Sequence, residues 1–466
     1  MKSSVLLIFG LILAMLLCNC DGSGKKLDGD STKYKPVEYV KVNHPDWAKA
    51  ATIYEVNIRQ YTKEGTFRAF ESHLARLKDM GVDIIWLMPI HPIGVEKRKG
   101  TLGSEYSVKD YFGVNPEFGS QADFRHLIQK IHEMDMYVII DWVGNHSAWD
   151  NPLAKQHPDW YSKTPEGHFQ PTPWYDWDDV IDFDYDNPEL RQYMTEALVY
   201  WVRDFDIDGY RCDTAGFIPT DFWNNARAEL DAVKPVFMLG EWESRDLHEY
   251  AFDATYSWSL WNAMTAVTRD GKGIGQLVEY LAHDESTFPR DGYRMLFTDN
   301  HDKNSWEGNQ IKNFGPALKA SMVLCGTING MPLCYGGQEA GLDRSLKFFD
   351  KDEIDWSNLA YAPLYKALFD LKHDNRALWN GNHGGRMIRL YNDKLDKVIS
   401  FSRTKDGNRV VSIVNYSAEK VSVRLDTKYL KGTYREVFSD KQIVFTGSDA
   451  LDLKPWGYLV LTTSTN

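Results

Sequence analysis

The chain has 466 residues, 43 % of them hydrophobic and 26 % charged, with a formal net charge of −13. That size and composition describe a globular protein of two or three domains, and the negative balance argues against nucleic acid or an anionic lipid surface as the main partner. The sixteen Trp within a 14 % aromatic content suit either the flat faces of sugars or ordinary packing.

Met1-Lys2 leads into an apolar run from Val5 to Leu17, too short for a membrane span and of signal-peptide length. Cys18-Asn19-Cys20 and a polar stretch follow. A Cys at this place resembles a bacterial lipoprotein signal with Cys20 as the lipidated residue; simple secretion is the alternative. The expected organisation therefore starts with a signal peptide (1–20) and a polar tether (21–46). Cys212, Cys325 and Cys334, the other cysteines, are too few for a disulfide framework and read as buried thiols.

Residues 52–57 (TIYEVN) are the first strand candidate, and Phe67, Phe70, Leu74, Leu77 and Met80 mark an amphipathic helix closed by Gly81. The near-continuous apolar run 83–88 has the character of a buried parallel strand. A Gly- and Tyr-containing loop (91–120), a helix from about 121 to 134 and a third strand (136–141) follow, in the rhythm of right-handed βαβ units. From 147 to 185 periodicity is lost and Trp, Asp and Pro accumulate, which predicts an insertion domain after the third strand. The series 190, 193, 194, 197, 198, 201, 202, 205 then places one apolar face on a helix from 187 to 204. It leads to the strand Ile207–Cys212, ending at Asp213. Further strands are expected at 235–240, 252–256, 294–298 and 332–335. Eight strands predict an α/β fold of the (β/α)8 barrel type, assembled from residues 47–146 and 186–376. Short alternating runs with turn residues at 406–407, 431–432 and 447 predict a C-terminal all-β sandwich domain (377–466).

In such a barrel the C-terminal strand ends carry the chemistry. Asp213, Glu241 and Asp302 stand at the ends of three different strands, in DWVGNH-, GYRCD-, GEWE- and FTDNHD-type stretches that also supply His146, Arg211 and His301. Arg211 lies two positions before Asp213, on the same strand face, where a fixed cation favours the ionised carboxylate of a nucleophile. Any one acid at a strand end is more often structural than catalytic. Three acids with two His and an Arg at barrel-consistent spacing reverse that balance.

These stretches, together with VIDFD at 180–184 followed by Asn187-Pro188, resemble the signature regions of the α-amylase family of retaining glycosidases, glycoside hydrolase family 13. The resemblance covers about four-fifths of the chain, from Thr52 onward. It implies that Asp213 is the nucleophile, Glu241 the general acid/base and Asp302 the carboxylate gripping the scissile sugar. Arg211, His146 and His301 are implied to bind around that sugar, Tyr106 to form the platform beneath it, and Asp141 to support a strand end. Two carboxyls about 5–5.5 Å apart, one kept protonated by an apolar setting beside Trp242, would meet the needs of retention. The implied function is hydrolysis of α-1,4 bonds in α-glucans or maltooligosaccharides by an exported, lipid-anchored α-amylase, facing the periplasm or the cell surface, with no nucleic acid and no organic cofactor. An α-glucosidase, a cyclomaltodextrinase or a transglycosylase uses the same residues. A glucan-binding protein on an inactive barrel and an inverting hydrolase are the readings from other classes.

Two departures from the family pattern stand out. Where many members carry Lys-His after the nucleophile, to grip the leaving-group side, this chain has Gly216 and Phe217. Asn145 and Asp182 match family calcium ligands, with the Phe217 carbonyl as a third, yet an Asn–Asp pair is equally well explained by mutual hydrogen bonding. The insertion tryptophans are read with equal weight as sugar platforms or packing.

Overall fold

Eight short parallel strands close into a ring in sequence order, as the apolar runs predict: β1 (Ile53–Val56), β2 (Ile84–Leu87), β3 (Tyr137–Trp142), β4 (Gly209–Cys212), β5 (Phe237–Gly240), β6 (Ala254–Tyr256), β7 (Tyr293–Leu296) and β8 (Met331–Tyr335). The last strand pairs with the first, Ile53 opposite Leu333. The computed structural model describes residues 31–463. The expected signal peptide with Cys20 lies outside the described residues. Among these residues no helix is long and apolar enough to cross a membrane.

The helices follow their local signals. In α1 (Gln121–His132) Ser120 and Asp123 form a reciprocal capping box. In α2 (Pro188–Phe205) the Asn187 side chain accepts from the backbone N–H groups of Glu189 and Leu190, Pro188 occupies the first turn, and the helix ends at Asp206 in a left-handed conformation. Its buried face is Leu190, Met194, Ala197, Leu198, Trp201, Val202 and Phe205, and each large apolar side chain there contributes about 1.5–3 kcal/mol by leaving water. The helix expected over 67–80 is divided into Phe67–Glu71 and Leu74–Asp79. At the break the Ser72 hydroxyl bonds back to the Ala69 carbonyl, a local bond that competes with the helical one.

The tether expected through residue 46 is shorter than that. The Lys41 N–H donates to the Glu249 carbonyl, and the His44 imidazole bonds Asp253 at 2.7 Å and the Asp291 carbonyl at 2.9 Å. Trp47 stacks on Tyr137 with ring centroids 3.9 Å apart. Because Tyr137, Asp253 and Asp291 stand at the beginnings of strands or just before them, this segment covers the N-terminal end of the barrel. Single aromatic anchors without periodicity left no signature that a pattern search could find.

The insertion after β3 is gathered at its base by a two-stranded antiparallel ladder, His146–Ala148 with Val180–Asp182. C-terminal to the barrel, β9 (Met387–Arg389), β10 (Val398–Lys405), β11 (Asn408–Asn415), β12 (Val421–Asp426), β13 (Gly432–Glu436), β14 (Gln442–Phe445), β15 (Ser448–Leu453) and β16 (Tyr458–Thr462) form two sheets. The larger has the order β9-β10-β11-β16-β13-β14, and the smaller is β12 with β15. Val411, Ile413, Val423, Leu425 and Leu461 fill the space between them. The turn between β10 and β11 is Asp406-Gly407, both at positive φ, as a two-residue hairpin requires. Arg403, buried, donates to the carbonyls of Ile328 and Trp379, and Tyr416 bonds Ser321 at 2.7 Å, so this module is bolted to the barrel.

Candidate active site

The C-terminal ends of the barrel strands converge on a cleft of about 610 Å³. Tyr106, His146, Asp213, Glu241, His301 and Asp302 line it; Arg211 lies beneath, fully buried. All seven barrel positions expected for catalysis and sugar binding are thus brought to one place.

The Arg211 guanidinium is the centre of the arrangement. Its Nη1 donates to Asp141 Oδ1 and to Asp213 Oδ1, each at 2.8 Å. Its Nη2 lies 2.8 Å from Glu241 Oε2, in ion-pair contact although off the line of its N–H bonds. Its Nε donates to the Tyr256 hydroxyl at 3.1 Å, and the rings of Trp86, Tyr106 and Tyr256 surround it. Away from water such a group persists only when paired, and one planar cation here faces three carboxyls.

Burial pushes the Glu241 carboxyl well above its usual range; Arg211 opposes this, while Asp213 and Asp302 add to it. The Thr214 N–H donates to Glu241 Oε2 at 2.8 Å, which leaves Oε1 to carry a proton. Asp141 does more than support a strand end. Its Oδ2 accepts from Trp86 Nε1 at 3.2 Å and from the Tyr106 hydroxyl at 3.1 Å, and burial raises its pKa too. The Tyr106 hydroxyl also meets His301 Nε2 at 2.8 Å, and the two rings stack.

His301 Nδ1 bonds Glu55 Oε1 at 2.5 Å, and its Nε2 lies 3.4 Å from Asp302 Oδ2. Burial works against the imidazolium, but Asp302 and Glu55 outweigh it and lift the pKa to about 9. Glu55, Trp86, Tyr256 and Thr214 escaped the sequence reading. Glu55 alone left a trace, as the one acid inside an otherwise apolar strand.

On the β4–β5 side, Gly216 is in direct contact with an indole. A Cβ on Gly216 would stand 2.2 Å from Trp242 Cδ2 and Cε2, so no larger residue fits there while Trp242 keeps its place. Phe217 packs edge-on to Trp242 and to Tyr175, with centroids 5.1 and 5.6 Å apart. Tyr175 continues to Trp177 and Trp177 to His146. Where the family pattern has a Lys-His pair, this chain carries a run of aromatic rings.

The pair expected as calcium ligands forms a closed hydrogen-bonded group. Asn145 Nδ2 donates to Asp182 Oδ1 at 3.2 Å and to Thr172 Oγ1 at 3.1 Å, and the Thr172 hydroxyl donates to the same Asp182 oxygen at 2.5 Å. A calcium ion takes six to eight oxygens, several of them carboxylate; here the one carboxylate offers its Oδ1 to two donors, one of them the Asn145 amide N–H. As arranged, these residues do not fit the ion. EDTA is expected to leave the thermal midpoint and the activity unchanged; a midpoint lowered by EDTA and restored by calcium would overturn this.

A family model described as the α-amylase catalytic domain matches residues 27–377, and one described as the maltogenic amylase C-terminal domain matches 387–460. Among solved structures, the noncanonic maltogenic α-amylase AmyB from Thermotoga neapolitana superposes with a TM-score of 0.82 at 32 % identity, over 90 % of this chain and 100 % of its own. The α-amylase MalA of Haloarcula japonica is 26 % identical over 86 % of this chain, which spans 61 % of that relative's length. A maltogenic α-amylase of Bacillus acidopullulyticus is 25 % identical over 85 % of this chain and 70 % of its own. The chain belongs to the α-amylase family, glycoside hydrolase family 13.

Proposed function

We propose that this protein hydrolyses α-1,4-glucosidic bonds of α-glucans and maltooligosaccharides with retention of configuration. The observation that carries the reading is the Arg211 guanidinium shared by Asp213 and Glu241. Carboxyls on the two terminal nitrogens of one guanidinium are near neighbours, which suits the separation of about 5–5.5 Å found in retaining enzymes rather than the wider gap that admits a water.

Asp213, with Oδ1 fixed by Arg211, directs Oδ2 at the anomeric carbon. Glu241, protonated, gives its proton to the departing glycosidic oxygen as the C–O bond breaks and the glycosyl–Asp213 ester forms. The same Glu241, now ionised, takes a proton from water as that water attacks the anomeric carbon and releases Asp213. Asp302 hydrogen-bonds the hydroxyls of the flattening sugar, the His301 imidazolium beside it holds the Tyr106 hydroxyl that keeps that ring beneath the sugar, and His146 borders it.

Action on short or cyclic substrates, or transfer to a sugar acceptor, is the second reading. The aromatic run Trp242–Phe217–Tyr175 favours it, because apolar faces near the leaving group hold a sugar better than they hold water. Gly216→Ala is expected to displace the Trp242 indole and raise KM for maltooligosaccharides about two- to tenfold, equivalent to the ~0.5–1.5 kcal/mol of one aromatic contact, with little change in thermal midpoint. Steady-state kinetics on maltotriose and maltoheptaose would check this.

The deciding experiment is product analysis on amylose, maltotriose and cyclodextrin, with Asp213→Asn as control. Mixed maltooligosaccharides from amylose, absent with the variant, are expected for an endo-acting α-amylase; preference for the short or cyclic substrates selects the second reading. No cleavage of any of them would refute the α-1,4-glucan assignment. Export with a lipid anchor at Cys20 is proposed from the Val5–Leu17 run, and membrane fractionation of Cys20→Ala tests it.

A further inference from the structure

One loop beside the cleft is tied down at both ends far more heavily than an unstructured connection requires. It follows β2 and comprises residues 95–103. Near its start, the Val95 N–H donates to Asp150, and Lys97 Nζ lies 3.1 Å from the centroid of the Trp149 ring. Lys99 Nζ donates to the Asp176 carbonyl at 2.7 Å and contacts Asp178 at 2.9 Å and Asp179 at 3.3 Å. All of these partners belong to the insertion after β3.

The other end is fastened to the loop after β8. The Thr101 N–H and hydroxyl both donate to Asp350 Oδ1, at 2.9 and 2.5 Å, and the Leu102 N–H donates to the Phe349 carbonyl at 3.0 Å. Gly100, at φ +61°, sits so close to Phe349 that a Cβ would meet the Phe349 Cβ at 2.5 Å. Beneath, Arg59 donates to the Gly103 carbonyl at 2.8 Å. The loop is thus a strap from the β3 insertion to the β8 loop, passing over β1 and β2.

Its position relative to the chemistry follows from the ring order. In a closed eight-stranded ring β8 and β1 stand opposite β4 and β5, whose ends carry Asp213 and Glu241. The acid faces the leaving group, so the leaving-group half of the glucan lies toward β4 and β5. The half that becomes bonded to Asp213 runs the other way, over Tyr106 and then Phe348, which stacks parallel to Tyr106 at 6.1 Å. Lys99, Asp176, Asp179, Phe348 and Phe349 line the cleft there, directly in the path of a longer chain.

The geometry points to a cleft closed at its glycone end, with Lys99 as the latch: the strap admits only the non-reducing end of an α-glucan and so fixes a short glycone product. The inference rests on the α-1,4-glucan reading and specifies which end of the polymer that site accepts. Lys99 acts here as a specificity-determining residue, through the wall it holds in place.

The test uses maltoheptaose and longer chains labelled at the reducing end, with product lengths followed at early times. The full-length protein is expected to release one predominant short unlabelled product. Lys99→Ala, which removes the contacts to Asp176, Asp178 and Asp179, and Asp350→Ala, which removes both Thr101 bonds, each loosen one end of the strap and are each expected to raise the share of longer unlabelled fragments at least severalfold. Lys99→Arg should restore the short product. The readout is a ratio of products, so a lower overall rate does not disturb it, and thermal midpoints establish that each variant is folded. Long unlabelled fragments from the unaltered protein, its cleavage of cyclodextrin, which has no non-reducing end to admit, or an unchanged ratio in both alanine variants would overturn the closed glycone end while leaving α-1,4 hydrolysis intact. Absence of any cleavage by the unaltered protein would remove the underlying reading and the strap's role together.

Discussion

Glu241→Gln is expected to lower kcat on amylose by about 10²–10⁴-fold, the contribution of a positioned general acid, while a substrate with an activated leaving group such as 4-nitrophenyl keeps most of its first-step rate. The reason lies in the carboxyl's setting. Burial first, then the charges of Asp213 and Asp302, hold its pKa well above the ordinary value against the pull of Arg211, so it keeps a proton to give. In the unaltered protein, activity should therefore fall as pH rises through that elevated pKa. The Gln variant cannot lose this proton, and its residual activity should lack the alkaline limb. Equal losses on amylose and on the activated substrate would count against Glu241 as the acid, as would an alkaline limb that survives the substitution.

Arg211→Ala is expected to cost about 3–5 kcal/mol of stability, the usual consequence of removing one partner from a buried ion pair, and to abolish activity. Asp141, Asp213 and Glu241 would lose the cation on which all three converge. The pKa values of Asp141 and Glu241, already raised by burial, would rise further in the folded state. The unfolded chain, where carboxyls ionise freely, then binds fewer protons than the folded one, so stability must fall as pH rises. The deficit should be largest at neutral and alkaline pH and shrink toward acid, where these carboxyls become neutral. Denaturant melts at two pH values check the sign. A deficit independent of pH would mean that Arg211 acts mainly by filling space.

The barrel was legible because buried parallel strands are short apolar runs, and because their ends repeatedly carry polar chemistry at spacings of one or two βα units. Asp213, Glu241 and Asp302 share that signature. The network beneath them was not legible. Glu55 is one acid in the strand IYEV, Tyr256 one aromatic in ATY, and nothing local says that either faces Arg211 or His301. The strap at 95–103 was equally silent: its hydrogen bonds run to residues near 176 and 350, and only the closed ring brings those together. The tether failed for a related reason, since His44 and Trp47 are anchored by partners roughly 90–250 positions away. Gly216 shows the opposite case. Its departure from the family pattern was visible at once, but the cause, an indole lying against its Cα, required coordinates.

The pairing of β1 with β8 also sets a schedule for the chain's own synthesis. Residues 53–55 find their second neighbour only in residues 333–335, so β1 keeps an unpaired edge until the last barrel strand has left the ribosome. At about 5–20 residues per second, that interval lasts some tens of seconds. During it the nascent chain presents an apolar strand edge of the kind that invites pairing with other chains. Whatever holds the chain meanwhile, a chaperone or an export machinery, must act before residue 335 is made rather than after.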